Sequence, residues 1–117
     1  MHALLVEDEA LLRTMLCGSL SEFGFEVEQA ETADAAWKMV EEGLDFDLLV
    51  TDVRMPGQMD GIELAERVKA RVRDAAIVIM SGFAGSNRAS TENFPNFLPK
   101  PFTEARLLTL IKQAMAN

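Results

Sequence analysis

Asp47-Leu48-Leu49-Val50-Thr51-Asp52 is a short apolar run that stops on a carboxylate. Its length, its leucine and valine content and its polar borders fit a buried strand of a parallel sheet better than a turn of helix. Asp52 then stands at the strand's carboxyl end. In open α/β sheets ligands bind at that edge, so an ionisable side chain there is a site candidate before any motif is invoked. Ala3-Leu4-Leu5-Val6 is a second such run, and it also leads into acids, Glu7 and Asp8. If the two strands are neighbours, three carboxylates converge at one edge. Like charges so placed repel and raise one another's pKa, and a bound cation is the usual remedy.

Outward from these two runs, helical and strand-like segments alternate to both ends of the chain. Leu12, Met15, Leu16, Leu20 and Phe23 recur at spacings of three and four, which predicts one apolar helix face closed by Gly24. Glu26-Val27-Glu28-Gln29-Ala30 is a weaker strand suited to a sheet edge. Thr32 can cap a second helix carrying Ala36, Trp37 and Val40, ended by Gly43. Met55-Pro56-Gly57-Gln58-Met59-Asp60-Gly61 has the proline and glycines of a loop. A third helix is predicted from near Ile62 to Val72, with Leu64, Ala65, Val68 and Val72 inward. Ala75-Ala76-Ile77-Val78-Ile79-Met80 is the next buried strand and exits on Ser81-Gly82. The stretch 85–93 is polar, so a helix there is expected to be short or mobile. Phe97-Leu98 makes a brief last strand before Lys100-Pro101, and Thr103 can cap a final helix with Leu107, Leu108, Leu110, Ile111 and Met115. A βα unit repeated five times implies right-handed crossovers and a doubly wound parallel sheet, an α/β fold.

The 117 residues suit one domain with one core, and a hydrophobic fraction of 49% argues against disorder. Lys and Arg number 11 against 19 Asp and Glu, a formal charge of −8, which disfavours direct nucleic-acid binding because neutralising phosphates requires a basic face. Cys17 is the single cysteine, so no internal disulfide forms, which is compatible with a reducing compartment. No signal peptide is recognisable, and no stretch approaches the roughly 18 apolar residues of a membrane span. A cytoplasmic location fits these features.

The strand exits present Glu7 and Asp8, Asp52, Ser81 and Lys100 at one edge. Hard carboxylate oxygens suit Mg²⁺, which completes its shell with waters and phosphate oxygens. Lys100 supplies a compact positive charge and Ser81 a hydroxyl donor. A carboxylate nucleophile, a metal, an ammonium and a hydroxyl are the parts needed to accept a phosphoryl group on Asp52, because positioning and charge neutralisation do most of the work in such transfers.

Val6-Glu7-Asp8-Glu9, Thr51-Asp52-Val53-Arg54-Met55-Pro56 with Asp60-Gly61, Met80-Ser81-Gly82 and Lys100-Pro101-Phe102 together resemble the receiver domain of two-component response regulators, over essentially the whole chain. The resemblance implies a flavodoxin-like (βα)5 fold with strand order 2-1-3-4-5. It also implies Mg²⁺ held by Glu7, Asp8, Asp52 and the backbone carbonyl of Arg54. Asp52 would be the phosphoacceptor. Ser81 and Lys100 would contact the phosphoryl group, and Ser81 and Phe97 would serve as switch residues. The implied donor is a sensor histidine kinase or a histidine phosphotransfer protein, and the implied output is a downstream protein partner met by a monomer or a phosphorylation-dependent dimer. The Lys100-Pro101 bond is expected to be cis. With the last helix closing the chain, one receiver domain over 1–117 without an output domain is expected, either a stand-alone regulator or a receiver cut from a larger protein.

The chain departs from the family pattern in three places. Glu7-Asp8 replaces the commoner Asp-Asp, the 55–61 loop is slightly longer than the shortest family form, and 85–93 is a poor helix on a face that usually engages partners. Phe83 and Arg54 flank the pocket and are expected to set the lifetime of the phosphorylated form. His2 reads as a surface residue, Cys17 and Trp37 as packing, and Phe97 as a core aromatic that also switches. The bland reading of Asp52, Asp8 and Lys100 is a structural ion-pair network. A phosphatase of the haloacid-dehalogenase type would need an aspartate where Arg54 stands. A non-phosphorylated pseudo-receiver acting as a protein-interaction module is the alternative, although such modules normally lack an acid or the lysine.

Overall fold

The computed structural model describes residues 1–82 and 94–116. The stretch 85–93 and Phe83 therefore lie outside the described residues. Five strands, β1 (His2–Val6), β2 (Glu26–Ala30), β3 (Leu48–Asp52), β4 (Ala76–Ser81) and β5 (Phe97–Pro99), form one parallel sheet in the order β2-β1-β3-β4-β5. Four helices are described, α1 (Ala10–Glu22), α2 (Ala33–Glu41), α3 (Gly61–Arg71) and α4 (Glu104–Met115). This is the doubly wound α/β architecture expected from the alternation of elements.

Period-two alternation makes the two cores. Leu5, Leu48, Val50, Val78, Met80 and Leu98 face one side, where Leu16 and Leu20 of α1 and Leu107, Leu110 and Ile111 of α4 cover them. Leu4, Val6, Leu49 and Ile79 face the other side, under Ala36 and Val40 of α2 and Leu64, Ala65 and Val68 of α3. The central strands are apolar on both faces for this reason. β2 has a single strand neighbour and exposes Glu26, Glu28 and Gln29, the composition of a protected edge.

Local signals set the helix ends. The Thr32 hydroxyl accepts the Ala35 amide at 3.0 Å and the Thr103 hydroxyl accepts the Arg106 amide at 3.1 Å, as the sequence predicts. Asp60, unremarked as a cap in the sequence, accepts the Glu63 amide at 2.8 Å and starts α3. Gly24 and Gly43 follow α1 and α2 at φ of +100° and +99°, a conformation costly for other residues. One expected core position is corrected: Met15 is 61% exposed. The core takes Leu16 and Leu20, with Leu12 and Phe23 at its margin. Met15 falls on the flank of that stripe, where Leu11 is also exposed at 70%.

Candidate functional site

The register carries the polar strand exits to one edge. Val6 is level with Thr51, Thr51 with Ile79 and Ile79 with Phe97. One step on, Glu7 follows beside Asp52; a further step brings Ser81, level with Pro99, and then Lys100. Continuing the alternation from Leu5, Val50 and Leu98 sends Glu7, Asp52 and Lys100 toward the α1 and α4 side.

The three side chains meet there. Lys100 Nζ donates to Glu7 Oε1 and to Asp52 Oδ2, each at 3.1 Å. The second oxygen of each acid is also satisfied, since Asp52 Oδ1 accepts the Val53 amide at 2.8 Å and Glu7 Oε2 accepts the Glu9 amide at 3.1 Å. Glu7 and Asp52 are buried, at 1% and 8% exposure, whereas Asp8 is open to solvent. One carboxylate oxygen from each of Glu7, Asp8 and Asp52 lies within 4.8 Å of the others. Three formal negative charges against one ammonium leave a surplus of two within the cluster. Hard oxygen donors with one side facing water fit Mg²⁺, which retains several waters.

Burial pushes the Glu7 carboxyl above its ordinary 4.5; the Glu9 amide pulls it down, the Asp52 charge adds to the rise, and Lys100 opposes it. For Lys100, burial is the largest single influence and pulls downward. The hydrogen bonds and charges of Asp52 and Glu7 together outweigh it and hold the ammonium above its ordinary 10.5. The signs follow. Glu7 has a raised folded-state pKa, so its contribution is fully present below 4.5 and is lost as pH rises through the raised value. Lys100 contributes below 10.5, and that contribution is lost as pH climbs through its raised value. Metal-free wild type is therefore expected to lose stability relative to Glu7→Gln as pH increases from below 4.5 toward neutrality. Melting temperatures of both proteins across pH in EDTA check this, and a pH-independent difference would refute it.

Of the remaining predicted residues, Ser81 and Arg54 fall at the same edge. Ser81 is 6% exposed, and its carbonyl accepts the Lys100 amide at 2.8 Å, which joins β4 to the lysine. The Lys100-Pro101 bond is cis. Arg54 lies two positions after Asp52 with an exposed side chain. Phe97 is half-buried against the core on the α2 and α3 side. His2 lies at the opposite end of β1, 2.8 Å from Glu26. Cys17 Sγ receives Gln29 Nε2 at 3.4 Å, and Trp37 packs at the edge of the core with the Arg67 guanidinium 5.5 Å from its ring centre. Beside Lys100 an apolar groove of about 460 Å³ is lined by Leu12, Met15, Leu16, Pro101, Phe102 and Leu107.

Some supporting residues escaped sequence reasoning. Arg13 Nη1 donates to the Glu7 carbonyl at 2.8 Å, so the first turns of α1 hold the acid's backbone. Gly61 passes so close to β3 that a Cβ would lie 1.7 Å from the Asp52 carbonyl oxygen and 3.0 Å from Thr51 Oγ1. The Asp60-Gly61 pair after a loop was the available signal. Gly61→Ala must push the end of β3 or the start of α3 aside, and it is expected to cost about 1–3 kcal/mol in denaturant unfolding. A variant as stable as wild type would contradict the close approach.

An open parallel sheet with acids, a lysine and a buried serine at its carboxyl edge is the build of an α/β domain whose ligand site lies at the strand ends. Residues 3–112 match the response regulator receiver domain family, and the chain belongs to that family. It is 34% identical to the DNA-binding transcriptional regulator NtrC of Rhizobium meliloti over 97% of this chain and 24% of that protein. It is 31% identical to the chemotaxis protein CheY1 of Helicobacter pylori over 88% of this chain and 87% of that protein. The response regulator TrrA of Thermotoga maritima, solved in complex with Mg²⁺–BeF, superposes with a TM-score of 0.85 at 29% identity, covering 97% of each chain. This chain thus spans about a quarter of NtrC and most of CheY1. No helix among the described residues is long and apolar enough to cross a membrane.

Proposed function

We propose that this receiver accepts a phosphoryl group on Asp52 from a phosphohistidine and later loses it to water. The observation that carries this reading is the Lys100 ammonium held 3.1 Å from both Glu7 and Asp52. The beryllofluoride complex of TrrA, a relative of the same fold, supports it. An Asp52 carboxylate oxygen attacks phosphorus as the P–N bond to the donor imidazole breaks, and the imidazole takes a proton as it leaves. The product is an acyl phosphate. Glu7, Asp8, Asp52 and the Arg54 carbonyl would hold Mg²⁺, which when bound neutralises charge on the phosphoryl oxygens. Lys100 turns from the carboxylates toward the new dianion, and the Ser81 hydroxyl donates to it. That rearrangement is relayed through Ser81 and Phe97 to the surface of β5 and α4, where a downstream protein reads it. Hydrolysis returns Asp52 and inorganic phosphate, so the chain is a signalling switch rather than a conventional enzyme. The donor in this reading is a sensor histidine kinase or a histidine phosphotransfer protein, and a cytoplasmic location accords with it.

Incubation with Mg²⁺ and acetyl phosphate, followed by mass spectrometry, tests the reading: modification mapped to Asp52 supports it. A protein that remains unmodified and spectrally unchanged is instead a partner-binding module without phosphorylation. The apolar groove beside Lys100, which Met15 lines, suits the donor protein, and the exposed Leu11 lies one helical turn before Met15 on α1. Leu11→Ser with Met15→Ser is expected to slow transfer from a protein donor about tenfold or more, as loss of buried apolar anchors does. Transfer from acetyl phosphate is expected to stay at the wild-type rate. Equal slowing with both donors would place the defect in the site rather than in docking.

A further inference from the structure

The loop between β3 and α3 carries Arg54, the only main-chain ligand proposed for the metal. Its two ends are tied down by backbone. The Val53 amide donates to the Met80 carbonyl at 3.1 Å, and the Gly61 amide donates to the Val53 carbonyl at 2.8 Å. Met59 is buried in the core under α2 and α3, and Asp60 is committed to capping α3. The span 54–58 between these anchors is exposed apart from Met55.

Its tip meets a residue from a different element. The Gln58 amide donates to Asp34 Oδ2, in the first turn of α2, at 2.9 Å. Gly57 adopts φ of +119°, and a Cβ there would lie 2.2 Å from the same oxygen. The left-handed glycine and the carboxylate are therefore fitted to each other, since any side chain at 57 would drive Asp34 off. An exposed loop held only at its ends has freedom to place its carbonyls, and a clasp at its tip removes that freedom.

We infer that Asp34 is a positioning residue, clasping the tip of the 53–60 loop against α2 so that the Arg54 carbonyl is presented to the metal. This rests on the reading of Glu7, Asp8, Asp52 and Arg54 as the Mg²⁺ site. Asp34 touches neither metal nor phosphoryl group and acts only through the loop. Asp34→Ala removes both the acceptor and a charge. Asp34→Asn removes the charge but keeps an oxygen for the Gln58 amide. Gly57→Ala crowds the same carboxylate with no change of charge and also strains the turn at φ +119°, so Asp34→Ala against Asp34→Asn carries the distinction.

The test is Mg²⁺ titration of the whole chain by calorimetry, together with hydrogen exchange at the Gln58 amide in metal-free protein. Asp34→Ala and Gly57→Ala are expected to raise the Mg²⁺ Kd about five- to tenfold, at or below the lower range for outer partners of metal ligands. Both should speed exchange at Gln58, and Asp34→Asn should remain within about twofold of wild type in both readouts. If Asp34→Asn weakens Mg²⁺ as much as Asp34→Ala, long-range charge is the cause and the clasp is refuted. If exchange at Gln58 rises with no change in Kd, the clasp exists but does not position a ligand, and the inference fails. A wild type that binds no Mg²⁺ sinks the metal site itself, an outcome distinct from both.

Discussion

Asp52→Asn is expected to abolish phosphoryl uptake while leaving the fold at least as stable as wild type. An amide has no anionic oxygen to attack phosphorus, yet it keeps the shape of the carboxylate and an oxygen for the Val53 amide, which Asp52 Oδ1 accepts at 2.8 Å. Lys100 keeps its bond to Glu7 Oε1. The substitution also removes one of two buried like charges, and the Asp52 charge is one of the influences raising the Glu7 pKa. Removing a carboxylate from the cluster of Glu7, Asp8 and Asp52 should weaken Mg²⁺ by more than about tenfold, because charges a few ångströms apart interact by several kcal/mol even at an effective dielectric of about 20. Intact-mass measurement after acetyl phosphate, melting temperature in EDTA and Mg²⁺ titration give three independent readouts. Modification elsewhere in the variant would move the acceptor away from Asp52, and a large loss of stability would mean that its charge holds the fold together.

Lys100→Met is expected to have the largest effect on stability. The side chain spans two acids with 1% and 11% of their side-chain surface exposed, and the methionine keeps its stem but not its charge. Stripping one partner from a buried ionic group leaves the others uncompensated, at a cost of about 3 kcal/mol, the low end of the range because Lys100 itself is 23% exposed. In a domain of this size that lowers the melting temperature by about 10 °C in EDTA. Mg²⁺ should restore much of the loss, since saturation at about 100 times Kd contributes about 2.7 kcal/mol. The variant should also be phosphorylated far more slowly, because the ammonium no longer meets the incoming phosphoryl oxygens. A melting temperature in EDTA equal to that of wild type would show that the acids are hydrated and that Lys100 does not hold them.

Much of this was legible from residues alone. Asp47 to Asp52 and Ala3 to Val6 hold apolar runs whose length and unbroken hydrophobicity specify strands covered on both faces, and a strand must shed its hydrophobicity where it leaves the core. Glu7, Asp52, Ser81 and Lys100 mark those exits. Thr32 and Thr103 announced their helices because a hydroxyl capping a backbone amide acts over three residues. Met15 was misplaced because its spacing within α1 is compatible with either side of the stripe. Only the packing of Leu16 and Leu20 decides which side faces the sheet.

The chain's own order of residues determined the strands, the caps, the acidic edge and membership of the receiver family, since each is written in spacings of a few residues or in short motifs. Tertiary structure alone decided which acids are buried and what they touch. Lys100 meets Glu7 across 93 residues and Asp52 across 48, and Gln58 meets Asp34 across 24. Those partnerships depend on strand order, register and the approach of α2 and α3 to the sheet. Burial then makes them consequential: a carboxylate in water is satisfied by solvent, whereas Glu7 at 1% exposure must find its amide and its ammonium within the protein.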